Sequence, residues 1–319
     1  MKNFYGYEEL GITVVRKLNK KKVAVVVSLI VIFFMLIAVL IHVLHINRKM
    51  IELEEQHFIE NNPKEDTTQQ QENTFQEEQI ESVLEKEQTE EENNNEVKIP
   101  QYTEIAKQNI KNIYKSEEKV AYLTFDDGPS TNITPQILTV LDNYNIKATF
   151  FLLGVNAERY PNLVNEEYIK GHYIANHGYS HVYSSIYSSA DAVIDEYNHT
   201  EQSIKNALNI QEYSSHLFRF PGGSSGTKYK DIKNEAKNIL EANDVAYIDW
   251  NALTNDSVGT PTEESIMQNL VDTTANKNSV IILMHDSSTK QLTVDKLPDV
   301  IDYLQQQGYV FKNFYDIME

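Results

Sequence analysis

From about Lys119 onward, short apolar runs alternate with amphipathic stretches, and this alternation limits the fold more than any other feature of the sequence. The apolar runs, at 120–125, 148–153, 172–176, 217–220, 245–249, 280–284 and 309–311, have the length and flanking turn residues of strands. Between them, the spacing of apolar residues predicts helices over 134–143, 160–170, 190–208, 229–242, 262–275 and 291–306. Strands that alternate with helices build a parallel sheet. At this size the expected fold is α/β, a distorted (β/α) barrel of seven or eight strands, with an open doubly wound sheet as the competing layout. Neither G-x-G-x-x-G nor G-x-x-x-x-G-K-[ST] occurs, which argues against dinucleotide and P-loop chemistry.

The segment before this region is of a different kind. Residues 23–44 read VAVVVSLIVIFFMLIAVLIHVL, with Ser28 and His42 as the only polar members. At about 1.5 Å per residue such a helix reaches across a hydrocarbon core of roughly 30 Å. The run is longer than the apolar part of a signal peptide, and no A-x-A cleavage pattern follows it. It is therefore expected to be an uncleaved single-span anchor. Arg16, Lys17, Lys20, Lys21 and Lys22 precede it, against Arg48 and Lys49 after it. The heavier basic flank stays in the cytoplasm, so 1–22 is expected inside and the rest of the chain outside the membrane.

Charge divides the 319 residues in the same way. The first 44 carry six basic and two acidic side chains, residues 45–100 five and sixteen, and residues 101–319 seventeen and twenty-nine. The stretch 45–100 is rich in Glu, Gln and Asn and poor in apolar residues, so it cannot offset the entropy of ordering and is expected to be a disordered tether. A formal charge of −19 makes nucleic acid an unsuitable partner, because phosphate recognition needs clustered positive charge. The absence of cysteine removes thiol catalysis, disulfides and thiolate metal sites.

Within 101–319, the polar residues that stand out all follow expected strands. They are Thr124-Phe125-Asp126-Asp127-Gly128-Pro129, His177-Gly178-Tyr179-Ser180-His181, Arg219-Phe220-Pro221-Gly222-Gly223, Trp250-Asn251 with Asp256 beyond, and Leu283-Met284-His285-Asp286. Singly, each has an ordinary reading. Asp-Asp-Gly-Pro suits a turn, H-x-x-x-H places two rings on one side of a helical turn, and a lone His285 serves as a hydrogen-bonded structural residue. In a β/α barrel, however, the C-terminal strand ends form one rim where catalytic groups gather.

The ordered set T-F-D-D-G-P, H-x-x-x-H, R-x-P, a Trp/Asp cluster and L-x-H-D resembles the polysaccharide deacetylases, carbohydrate esterase family four, which carry the NodB homology domain. The resemblance runs from about Val120 to the C-terminus. It implies Asp127, His177 and His181 as ligands of a divalent metal, usually zinc, and Asp126 as the general base. It further implies Arg219 as the partner of Asp126, His285 as the general acid, and Leu283 as lining for the acetyl methyl. Gly222 stands where the family usually has a Tyr that gives its backbone N–H to the oxyanion, and Gly178 stands where Ser or Thr is usual. The fourth motif departs most: counting from Trp250 makes Asp256 the residue that tunes His285, with Asp249 as the fallback.

The activity so implied is metal-dependent removal of acetyl groups from N-acetylglucosamine in a cell-envelope polysaccharide, peptidoglycan first. Chitin oligomers, an exopolysaccharide or acetylated xylan are the alternative polymers. A catalytically silent wall-binding protein is the alternative from another class; it would lack a ligand, base or acid, and this sequence has all of them.

Overall fold

The structure is a computed structural model that describes residues 98–318 together with Lys49. The basic N-terminus, the apolar run 23–44 and, apart from Lys49, residues 45–97 of the acidic stretch fall outside the described residues. Among the described residues, no helix is long and apolar enough to cross a membrane.

Eight strands form one parallel sheet: β1 (Val120–Asp126), β2 (Thr149–Leu152), β3 (Tyr173–Asn176), β4 (Leu217–Phe218), β5 (Ala246–Tyr247), β6 (Ala252–Leu253), β7 (Ser279–His285) and β8 (Val310–Phe311). The order along the sheet is β5-β4-β3-β2-β1-β7-β6. Outward from β1, one side follows the chain forward to β5 and the other runs back from β7 to β6. That is the circular order of a barrel, interrupted between β5 and β6. A doubly wound sheet would instead reverse its order about a switch point. The long strand β1 pairs along all of one edge with β7, while β8 takes the first part of its other edge and β2 the last part.

Among the described residues, eight helices cross between or flank these strands and a ninth precedes them: α1 (Glu104–Asn112), α2 (Thr134–Asn143), α3 (Gly154–Arg159), α4 (Pro161–Ile169), α5 (Tyr183–Ile186), α6 (Ala190–Leu208), α7 (Lys230–Ala242), α8 (Glu263–Thr274) and α9 (Gln291–Gln306). Polar side chains fix several starts. Ser189 accepts from the Ala192 N–H to open α6, and Thr262 and Ser265 cap α8 reciprocally.

Two departures from the sequence reading bear on the site. The helix expected at 160–170 is α4, and a short helix that was not expected, α3, precedes it, the two being separated at Tyr160. The two-residue strand β6 was not expected, because no apolar run marks it. It pairs with β7 through Ala252 and Leu253 and carries the following loop, with Asp256, to the rim.

Side-chain alternation along the strands aims the functional groups. On β1, Ala121, Leu123 and Phe125 pack outward against the helices, while Val120 and Tyr122 face the concave side with Phe151, Tyr173, Leu217 and Ile281. Continuing that alternation puts Thr124 and Asp126 on the concave face. The same count from Tyr173 and Ala175 places His177 there, from Leu217 it places Arg219, and from Ile281 it places Leu283 and His285. Helix α1 and the C-terminal residues Phe314, Tyr315, Ile317 and Met318 complete this inner core. Each large side chain buried there contributes about 1.5–3 kcal/mol, which gives the polar rim above it a rigid floor.

Candidate active site

The first strand delivers two aspartates in different directions. Asp126 ends β1 and is buried, whereas Asp127 has φ of +77 and turns away from the strand. This left-handed residue is held in place: Asn156 Nδ2 donates to its carbonyl at 2.8 Å. The next residue must be glycine, since a Cβ on Gly128 would meet Asp286 Oδ2 at 2.0 Å. Asp286 is itself buried beneath the turn, accepting from Thr134 Oγ1 at 2.7 Å, and burial pushes its carboxyl up to about 7.

His177 and His181 converge, but not through a helical turn as their spacing had suggested. Residues 177–182 form an irregular loop in which Gly178 has φ of +80 and His181 φ of +56. Glu196 on α6 anchors it, accepting from the N–H groups of Tyr179 and Ser180, both at 2.7 Å, and from the Ser180 hydroxyl. Glu196 is a supporting residue that no sequence signal marks, because it lies along a helix with nothing to distinguish it from solvent-facing acids.

The three expected ligands meet. Their donor atoms lie within 4.8 Å of one another, and they are the one such group of His and acidic residues among the described residues. Asp127 Oδ1 stands 3.6 Å from His177 Nε2 and 3.4 Å from His181 Nε2. His177 Nδ1 lies 2.8 Å from the Arg219 carbonyl, which can only accept, so the proton sits on Nδ1 and Nε2 presents a lone pair. Burial lowers the His177 pKa to about 3, keeping the ring neutral. Asp127 Oδ1 is buried without a hydrogen-bond partner. An unpartnered carboxylate oxygen facing an imidazole lone pair is electrostatically unbalanced, and a divalent cation would supply the balance. One carboxylate and two imidazoles fit zinc with a position to spare.

Arg219, immediately after β4, is fully buried in the concave interior. One nitrogen, Nη1, donates to Asp126 Oδ1 at 2.7 Å and to Thr124 Oγ1 at 2.8 Å, and the guanidinium lies 3.8 Å from the centre of the Phe151 ring. Burial raises the Asp126 carboxyl above its ordinary range, while the Arg219 charge limits the rise. Removing one member of such a buried pair costs roughly 3–5 kcal/mol, because the other charge is left unpaired.

His285 ends β7 directly opposite Asp126 in the strand register. Its Nδ1 donates to Asp256 Oδ1 at 2.7 Å, and its backbone N–H donates to Asp256 Oδ2 at 2.9 Å. Thr293 on α9 donates to the same carboxylate at 2.7 Å. Burial alone would lower the His285 pKa, but the Asp256 hydrogen bond and charge outweigh it and raise it. Asp256, not the fallback Asp249, is therefore the partner of His285. Asp249 instead accepts from the Ser224 N–H and hydroxyl, each at 2.8 Å, and orders the loop after Gly222-Gly223.

These groups open on a bowl of about 300 Å³ whose lining includes Asp126, Asp127, His177, His181 and His285 together with Gly222, Trp250 and Leu283. Every site residue expected from the sequence lines this bowl or, like Arg219, lies directly beneath it. Tyr183, which also lines it, was not foreseen.

With fold and bowl in place, comparison with known proteins gives the class. The profile of the family described as "Polysaccharide deacetylase" matches residues 113–239. A peptidoglycan-N-acetylglucosamine deacetylase of Bacillus cereus is 30% identical over 208 residues, which cover 63% of this chain and 71% of that protein. The chain belongs to the polysaccharide deacetylase family, hydrolases that act on carbon–nitrogen bonds.

Among solved structures it is similar to a Streptococcus mutans carbohydrate esterase of family four, with 30% identity, a TM-score of 0.59, and coverage of 65% of this chain and 90% of that one. It is also similar to the catalytic domain of a peptidoglycan N-acetylglucosamine deacetylase from Eubacterium rectale, with 35% identity, a TM-score of 0.56, and coverage of 62% and 90%.

Proposed function

We propose that residues 101–319 form a catalytic domain that hydrolyses the acetamide of N-acetylglucosamine units in a cell-envelope polysaccharide, peptidoglycan foremost, releasing acetate. The observation that carries the reading is the pairing of Asp126 and His285 across β1 and β7 at the mouth of the same bowl as the Asp127, His177 and His181 triad. The relatives named for peptidoglycan support the choice of polymer.

In this reading Asp127, His177 and His181 would hold a divalent ion, zinc by its donor set. Such an ion acidifies water and polarises an amide carbonyl. Asp126 accepts the proton of the attacking water, with Arg219 fixing which oxygen faces it. The Gly222 N–H donates to the carbonyl oxygen as negative charge develops there. Leu283 packs on the acetyl methyl, and Trp250 forms a wall for the sugar. His285, hydrogen-bonded to Asp256 through Nδ1, gives a proton from Nε2 to the departing nitrogen, because an amine anion is a very poor leaving group. One amide bond and one water O–H bond break, and an acetate and a free amine result.

The proposal extends to location: residues 23–44 anchor the chain in the cell membrane with 1–22 in the cytoplasm, and 45–100 tether the domain outside. The test of substrate is to present the protein with purified peptidoglycan, chitin oligomers and acetylated xylan and to quantify acetate. Release from peptidoglycan supports the assignment; release from xylan alone overturns it.

A further inference from the structure

Gly222 and Tyr183 form a pair that neither motif nor spacing announces. A Cβ on residue 222 would meet the Tyr183 hydroxyl oxygen at 2.5 Å and the ring carbon that bears it at 3.2 Å. The missing side chain at 222 is the space that the tip of this phenol fills. Gly222 also has φ of +70, a conformation that disfavours any side chain. Tyr183 opens the short helix α5, two residues beyond His181, and its ring lies 5.3 Å from that of His181 and 5.8 Å from that of Tyr187. The ring is therefore braced on two sides, and its tip reaches the bowl between the metal triad and the Gly222 backbone.

The hydroxyl at that tip forms no hydrogen bond among the described residues. By contrast the buried tyrosines 173, 187 and 213 each give their hydroxyl to a backbone carbonyl. The hydroxyl thus occupies the space over Gly222 while its hydrogen-bonding capacity stays unused. A half-exposed ring with an uncommitted hydroxyl suits a sugar, whose C–H face packs on an aromatic wall while its hydroxyls and amide seek partners at the edge.

We propose that Tyr183 is a specificity-determining residue of this site, its ring walling the bowl over Gly222 and its hydroxyl hydrogen-bonding the N-acetylhexosamine whose acetamide is cleaved. The inference rests on the deacetylase reading above.

The experiment measures binding of the N-acetylglucosamine tetramer to the full-length chain carrying Asp126→Asn, by calorimetry, with bound metal quantified in parallel. Tyr183→Phe is expected to weaken binding about 3–10-fold, the worth of one net hydrogen bond, with metal content unchanged. Tyr183→Ala should weaken it further. Gly222→Ala should weaken binding more when Tyr183 is present than in the Tyr183→Ala background, because the clash is then gone and only the strain of a side chain at φ +70 remains. Equal affinity of the Tyr and Phe forms, or a Gly222→Ala effect that is the same in both backgrounds, would overturn the proposal. So would a tetramer that does not bind at all. Acetate release by the unsubstituted chain separates the two readings: Tyr183-dependent binding without acetate would overturn deacetylation and leave the Tyr183 contact standing, while acetate release with Tyr183-independent binding would overturn the contact alone.

Discussion

Asp126 and His285 are register partners on β1 and β7, yet each is steadied from a different strand. Arg219, after β4, donates to Asp126 at 2.7 Å, and Asp256, after β6, accepts from His285 at 2.7 Å. The two neighbours thus meet opposite requirements. A cation beside Asp126 counters the burial that would protonate it, and an anion beside His285 counters the burial that would deprotonate it. In the proposed reading, this separation of environments would let one site hold a base and an acid at the same pH.

Replacing Asp126 by Asn keeps the side chain's shape and removes its basicity. Turnover should fall by a factor on the order of 10² to 10⁴ while bound metal stays near one per chain, as measured by elemental analysis. Loss of metal in this variant would make Asp126 a ligand and exchange its role with that of Asp127.

Asp256→Asn tests the other half. The Asp256 charge favours the protonated imidazole, so removing it lowers the His285 pKa. A general acid must be protonated to act, so activity is lost as pH rises through that pKa. The alkaline limb of the kcat/KM profile should therefore move to lower pH, with a larger loss at pH 8 than at pH 6. An alkaline limb that stays in place would detach His285 from the acid role. Asp249→Asn should leave the limb where it is.

Glu196→Ala removes the acceptor for two backbone N–H groups and one hydroxyl in the loop between the two histidines. The loop positions His181, so affinity for zinc should fall about 10–100-fold, the usual worth of an outer support, in a competition titration with a chelating dye. Unchanged affinity would show that the loop holds its shape without Glu196.

How far the sequence carried this picture differs from element to element. Runs such as 120–125 and 280–284 were legible because buried parallel strands are apolar throughout, and their ends pointed to Asp126 and His285 directly. Strand β6 was not legible, since two paired residues leave no pattern. For that reason the choice between Asp256 and Asp249 needed the fold: only the loop after β6 reaches His285. The spacing of His177 and His181 fits a helical turn as well as a loop, and the two left-handed residues that select the loop leave only Gly178 as a trace. Tyr183 was invisible because its meaning lies in the empty position at Gly222, thirty-nine residues away.

The expected topology has its own test. If 23–44 spans the membrane with the basic flank inside, protease added to intact, wall-stripped cells should release a soluble, active fragment that begins within 45–118. A domain protected until the membrane is permeabilised would place it in the cytoplasm and remove its access to a wall polymer.

The most direct measurement counts both products on one polymer. Purified full-length protein is incubated with peptidoglycan, and acetate and new glucosamine amines are quantified together, before and after removal of metal with a chelator and its return as zinc. The account predicts acetate and amine in equal amounts, loss of both without metal, and recovery of both with zinc. Acetate without matching amine would mean that an ester, not an acetamide, is cleaved, and undiminished release from metal-stripped protein would contradict the role given to Asp127, His177 and His181.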